Sequence, residues 1–254
     1  MPYFRSGDDA SLYYDDQGDG AVVLLLHGFV GDVNIDWIRS GILDRLLDEG
    51  YRTIAYDARG HGLSDKPHDP SAYAGDILSG DASALLDTLE IERCFVIGFS
   101  LGAQTALRLS TLDARVRAVV ALGLGDTMLA RVGPSTDEGA AVWSLAAAMR
   151  ADDPDTITQP GLRHYREMAD AIRADRQALA ALMDAPRIPV VEFLDEVKVP
   201  VLFVTGSDDP AGAPNPLAAR LEDALAVTTA GDHAGVRAQA AAQEAIVEFL
   251  DAHA

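Results

Sequence analysis

Short continuous apolar runs alternate along this chain with stretches of helical spacing. Val22-Val23-Leu24-Leu25-Leu26 contains no polar position. A strand buried on both faces of a parallel sheet reads this way, because neither of its sides meets water. Residues 52–56, the run from Cys94 to Phe99, residues 116–122 and residues 199–205 read as further strands, largely apolar apart from Arg52, Thr53, Arg117 and Thr205. Residues 3–5 and 12–14 read as two short strands around Gly7-Asp8-Asp9, and residues 226–229 as a last one. Helical spacing falls between these runs. Ile38, Ile42, Leu43, Leu46 and Leu47 predict a helix over 35–49 with Gly50 as its stop. Further helices are predicted near 77–89, from Leu101 through Leu109, near 217–225 and over 236–252.

This repeated strand and helix pattern predicts an α/β fold: a doubly wound, mostly parallel sheet of about eight strands. About seventy residues separate the strand ending at Leu122 from the one starting at Val199, too many for an ordinary crossover. They read as helices, over 139–149 and 161–183. The expected organisation is therefore a core of residues 1–125 and 196–254 with a helical cap inserted as residues 126–195. Functional loops are expected at the carboxyl ends of the strands.

Composition narrows the picture. The chain has 254 residues, of which 48% are hydrophobic and only 6% aromatic, so Ala, Val and Leu carry the burial. One α/β domain, with or without an insertion, fits that length. No run reaches the roughly 20 apolar residues of a membrane span, and Met1 to Ser6 lack the charged and apolar regions of a signal peptide. Cys94 is the one cysteine, which rules out a disulfide within the chain. It lies inside an apolar strand and reads as a core residue. A cytoplasmic protein, monomer or homodimer, is expected. The net charge is -20, and Lys66 and Lys198 are the two lysines. That balance argues against nucleic acid as a partner, and a small-molecule substrate is expected instead.

The candidate chemistry centres on Gly98-Phe99-Ser100-Leu101-Gly102. An apolar strand enters it and a helical pattern leaves it. A serine at such an apex projects its Oγ above the sheet, and flanking glycines let strand and helix cross closely. The hydroxyl needs a base, oriented in turn by a carboxylate. In sheets of this kind the chain order is Ser, then acid, then His. His164, His233 and His253 lie downstream. His164 falls in a helical pattern, at a surface or pocket position, and His253 is penultimate. His233 follows the last strand in the loop Ala230-Gly231-Asp232-His233 and is the expected base. After the strand ending at Thr205, Asp209 is the expected acid, with Asp208 as the fallback. An oxyanion hole needs two backbone N–H groups. Leu101, after the serine, and Phe29, in the loop after residues 22–26, are the expected donors. His27 is expected to brace that loop.

His27-Gly28-Phe29, the loop Asp57-Ala58-Arg59-Gly60-His61-Gly62-Leu63-Ser64-Asp65, the Ser100 pentapeptide, Gly206-Ser207-Asp208-Asp209 and Gly231-Asp232-His233 occur in one order. In that order the chain resembles an α/β-hydrolase over nearly all its length. The resemblance implies a structural role for the 57–65 loop. It also implies a serine hydrolase of small carboxylic esters that works without a cofactor. A lactonase, or a hydrolase of carbon–carbon bonds in β-diketone-type compounds, would use the same three residues, and a peroxide could replace water at the acyl-enzyme. A ligand receptor with little turnover is the alternative from another class. Family members that open epoxides or displace halides generally carry aspartate where Ser100 stands. No metal-binding pattern, dinucleotide fingerprint or phosphate loop is present in the sequence. Phe29, Trp37, Phe99, Met128, Trp143, Met149 and Met168 are expected to line an apolar acyl pocket.

Overall fold

The computed structural model describes residues 2–129 and 144–254. Its centre is one eight-stranded sheet. β1 (Tyr3–Arg5) and β2 (Ser11–Gln17) are antiparallel, and β2 runs antiparallel to β4 (Arg52–Tyr56). From β4 onward the sheet is parallel, through β3 (Val22–Leu26), β5 (Cys94–Phe99), β6 (Val116–Leu122), β7 (Val201–Gly206) and β8 (Ala224–Thr229). The spatial order is β1-β2-β4-β3-β5-β6-β7-β8.

The apolar runs have no polar face because helices cover both sides. Alternate residues point to opposite layers, as the strand period of two requires. Val23, Leu25, Phe95 and Ile97 pack with α1 (Ile42–Asp48) and α9 (Ala240–Asp251). Leu24, Leu26 and Val96 pack with α2 (Ile77–Thr88) and α3 (Leu101–Leu112). Each fully buried Val or Leu contributes about 1.5–3 kcal/mol relative to exposure, so a slip of one residue in any central strand gains nothing.

Between β6 and β7 the described chain is helical. α4 (Leu145–Arg150), α5 (Pro160–Ala171), α6 (Arg176–Asp184) and α7 (Val190–Phe193) succeed one another. Ala146, Met149, Ala169, Leu179 and Ala180 of α4, α5 and α6 bury one another together with Val30, in the loop after β3. The buried Arg166 side chain donates to carbonyl oxygens of Ala148 and Ala151 at the end of α4, where the helix dipole favours a cation. α8 (Asn215–Ala218) lies between β7 and β8.

Several predicted helices divide or shrink. The helix expected over 35–49 is a single π-turn (Asn34–Ile38) and then α1, separated at Gly41, whose φ is 79°. The helix expected over 161–183 is two, α5 and α6. Arg173 turns left-handed at φ 55°, and Asp175 caps α6 by accepting from the Gln177 and Ala178 N–H groups. A cap that satisfies the backbone locally ends a helix that periodicity alone would continue. The helix expected over 217–225 shortens to α8, because Ala224 already pairs with Val201 in β8. Of the helix expected over 139–149, residues 139–143 lie outside the described residues. Among the described residues no helix is long and apolar enough to cross a membrane.

Cys94 begins β5, 2% exposed, and burial pushes its thiol up to about 12. The thiolate is the reactive form. The folded protein is therefore expected to show no reactive thiol toward a disulfide reagent at neutral pH, and the guanidinium-unfolded chain to show one.

Candidate active site

β5 hands the chain to α3 through one residue, Ser100, at φ 52° and ψ -110°. That conformation is rare for a residue with a side chain. The Ser100 N–H donates to the Leu122 carbonyl at 2.8 Å, so β6 holds the turn in place. The crossing leaves no room for side chains at its two glycines. A Cβ on Gly98 would lie 2.3 Å from the Gly102 carbonyl oxygen, and one on Gly102 would lie 1.9 Å from that of Leu26.

The loops after β7 and β8 face this apex. His233 Nε2 lies 3.1 Å from Ser100 Oγ, and its Nδ1 lies 2.9 and 3.0 Å from the two carboxylate oxygens of Asp209. A carboxylate only accepts, so Nδ1 carries the proton and Nε2 is left to accept from the serine hydroxyl. The Asp209 side chain is fully buried, and its Oδ1 also accepts from the Ala211 N–H at 2.8 Å. Asp208 is exposed, and among the described residues its carboxylate accepts only from the Ser207 hydroxyl, at 3.4 Å. Of the two aspartates, the structure places Asp209 against His233. His253 bonds its own helix, to Phe249 O.

Phe29 follows β3 and Leu101 opens α3. Neither N–H donates to another group among the described residues. His27 supports the Phe29 loop from below. Its Nδ1 lies 2.8 Å from Gly28 O, and its Nε2 accepts from the Ala58 N–H at 2.9 Å. Asp57 accepts from the Val33 and Leu63 N–H groups, and Arg59 is paired with Asp8 and Asp81. These two residues hold loops together and do not reach Ser100.

A sequence profile of the α/β hydrolase fold matches residues 21–188, more than half of the chain. The chain belongs to the α/β-hydrolase fold family. A non-heme chloroperoxidase from Streptomyces lividans is 27% identical over 241 residues, covering 82% of each chain. An epoxide hydrolase from Caballeronia sordidicola is 40% identical over 96 residues. That match spans 38% of this chain and only 28% of the epoxide hydrolase. Among solved structures, the enol-lactonase from Burkholderia xenovorans LB400 superposes with a TM-score of 0.75 over 98% of this chain and 100% of that one, at 24% identity. At that identity the likeness is one of fold.

In this α/β-hydrolase a cavity of about 250 Å³ opens beside Ser100 and His233. Phe29, Val30, Phe99 and Met168 supply apolar wall. Three expected pocket residues are not in its lining, because each packs against a core instead. Trp37 is fully buried against the layer of α1 and α9. Met149 is fully buried among α4, α5 and α6. Met128, half-buried, packs against the opposite layer. Trp143 lies outside the described residues. His164 does line the cavity, and so do Tyr165, Asp36 and Arg237, which sequence reasoning did not single out. Tyr165 sits in an ordinary helical pattern, and Asp36 and Arg237 belong to no motif. Burial, and then the Asp209 carboxylate, push the Tyr165 phenol up, so it stays a hydrogen-bond donor. Among the described residues no group of His, Cys, Asp or Glu is arranged to hold a metal ion.

Two outcomes follow from this geometry. Gly102→Ala is expected to cost at least about 1–3 kcal/mol by overpacking and to shift Ser100 away from His233, seen as a lower urea midpoint with slower Ser100 chemistry. His61 is buried with its ring 4.8 Å from that of His27. Burial, then His27, lower its pKa from 6.5 to about 3. The unfolded chain thus binds a proton that the folded one refuses, and stability falls as pH drops from 6.5 toward about 3. Urea titrations at about pH 7.5 and about pH 5 are expected to show a smaller acid loss for His61→Gln than for the wild type.

Proposed function

We propose that this α/β-hydrolase is a serine hydrolase of small carboxylic esters that works through an acyl-enzyme. The observation that carries the reading is the continuous relay from Ser100 Oγ to His233 Nε2 at 3.1 Å and from His233 Nδ1 to the buried Asp209 at 2.9 Å. His233 takes the Ser100 proton as Oγ attacks the ester carbonyl. The Phe29 and Leu101 N–H groups hold the tetrahedral oxyanion, where preorganised donors act most strongly. His233 then passes its proton to the leaving alcohol. Water, deprotonated by His233, attacks the acyl carbon and releases the acid, restoring Ser100. Asp209 keeps the His233 tautomer and stabilises its charged form.

Residues 126–195 act in this reading as a cap. α5 brings His164, Tyr165 and Met168 over Ser100, so the substrate enters beneath helices and its acyl group meets Phe29, Val30 and Phe99. An apolar wall beside a few polar groups suits a small, uncharged acyl chain. Serine at the apex argues against epoxide opening, despite the epoxide hydrolase among the relatives. The Streptomyces lividans relative, by its name, supports a second reading. Hydrogen peroxide in place of water would attack the acyl-enzyme, give its proton to His233 and leave as a peracid.

Hydrolysis of p-nitrophenyl esters from acetate to decanoate tests the first reading. Turnover is expected to fall with chain length, and in Ser100→Ala to drop by roughly 10 000-fold or more. Undiminished turnover in the purified, folded Ser100→Ala protein would overturn it. Adding peroxide to the acetate reaction and assaying peracid tests the second.

A further inference from the structure

Asp36 and Arg237 are 201 positions apart in the chain and form a charge pair under the cavity. They are 2% and 8% exposed, and Arg237 Nη1 donates to Asp36 Oδ1. Among the described residues the other side-chain hydrogen bonds of the pair go to the surroundings of Ser100. Asp36 Oδ2 accepts from the Gly28 N–H at 2.7 Å. Arg237 Nε donates to the Ala234 carbonyl at 3.2 Å. The guanidinium lies over the Phe99 ring, 4.1 Å from its centroid. Gly28 precedes Phe29, Ala234 follows His233 and Phe99 precedes Ser100. One ion pair thus touches the chain neighbour of an oxyanion donor, of the base and of the nucleophile. Gln243 steadies it by donating to the Arg237 carbonyl at 3.0 Å.

Burying two charges is costly, and an apolar pair of like volume is often as stable or more so. Stability alone therefore gives little reason for these residues here. We propose that Asp36 and Arg237 are positioning residues. The pair fixes the Phe29 N–H, Ser100 Oγ and His233 relative to one another, and it acts on the transition state rather than on substrate binding. This rests on the serine hydrolase reading above. The Phe29 N–H belongs to the peptide that leaves Gly28, so anchoring Gly28 aims that donor. A donor works only within a few tenths of an ångström of the place where negative charge develops, and a misplacement of about 1 Å costs roughly 100-fold. Phe29 and His233 sit on separate loops, and the pair is a direct link between their chain neighbours.

The test compares wild type, Asp36→Asn, Arg237→Gln, the double variant and Arg237→Lys on p-nitrophenyl acetate. Each single loss of charge is expected to lower kcat roughly 10- to 100-fold with KM within about twofold. The double variant is expected to be no slower than the worse single one, since both break one link. It also leaves no unpaired charge, so it carries the expectation where a single variant fails to fold. Arg237→Lys, which keeps a cation beside Asp36, is expected to recover part of kcat. Labelling of Ser100 by a fluorophosphonate, whose adduct places an oxygen in the oxyanion hole, is expected to slow by the same factor. Folded variants with wild-type kcat, losses confined to KM, or single losses that multiply in the double variant would overturn the proposal. A wild type that neither turns over esters nor labels would sink the serine hydrolase reading instead. Amide exchange then decides the pair separately: it is expected to quicken at Gly28 in the double variant, and unchanged exchange there would overturn the link.

Discussion

A Cβ on residue 102 would sit 1.9 Å from the Leu26 carbonyl oxygen, and that contact sets the geometry of everything around Ser100. β5 and α3 can cross only because glycine stands at 98 and 102. The crossing forces Ser100 into a left-handed backbone, a strain of about 1–3 kcal/mol that the surrounding packing must sustain. Strands β3 and β6 flank β5, and the Leu122 carbonyl accepts the Ser100 N–H. The same turn that lifts the hydroxyl also opens α3, so the Leu101 N–H and the positive end of the helix dipole lie beside it. Hydroxyl and donor are positioned by one backbone event.

The partners come from the other half of the sheet. β6, β7 and β8 run parallel to β5, so the loops after β7 and β8 leave at the same end as Ser100 does. Parallel strands make this convergence automatic, and it is why residues 100, 209 and 233 meet although the chain travels far between them. Asp209 is buried and His233 half-buried. The carboxylate is thus shielded from water that would weaken its bond to the imidazole, while the imidazole stays open toward the cavity.

Charge is used sparingly inside and freely outside. Most buried arginines are paired: Arg59 with Asp8 and Asp81, Arg166 with Asp170, Arg237 with Asp36. The Arg59 and Arg237 pairs join separate segments, and Arg166 reaches one through the Ala148 and Ala151 carbonyls. In a chain of net charge -20 with two lysines, the planar guanidinium does this work, since its fork meets carboxylates and carbonyls together. The Asp36–Arg237 pair differs from the others in lying beside the cavity and touching the loops that carry Phe29 and His233.

The short apolar runs bounded by turns and alternating with helical stretches determined the parallel part of the sheet, because each run is too short for a helix and buried on both faces. The order of short motifs singled out Ser100 and His233 and narrowed the acid to Asp209 or Asp208, since an apex serine between glycines and loops that end strands are local features. Helix ends were less legible. Arg173 and Gly41 turn left-handed, and Asp175 caps α6, choices that propensity over a window does not record. The pocket was least legible. Trp37 and Met149 are as apolar as Phe99 and Met168, and periodicity reports that a side chain is buried, not what it is buried against. Only the tertiary structure decided that the first two fill cores while the other two face Ser100. It alone brought Asp36 to Arg237, since a contact across 201 residues leaves no local trace in either segment.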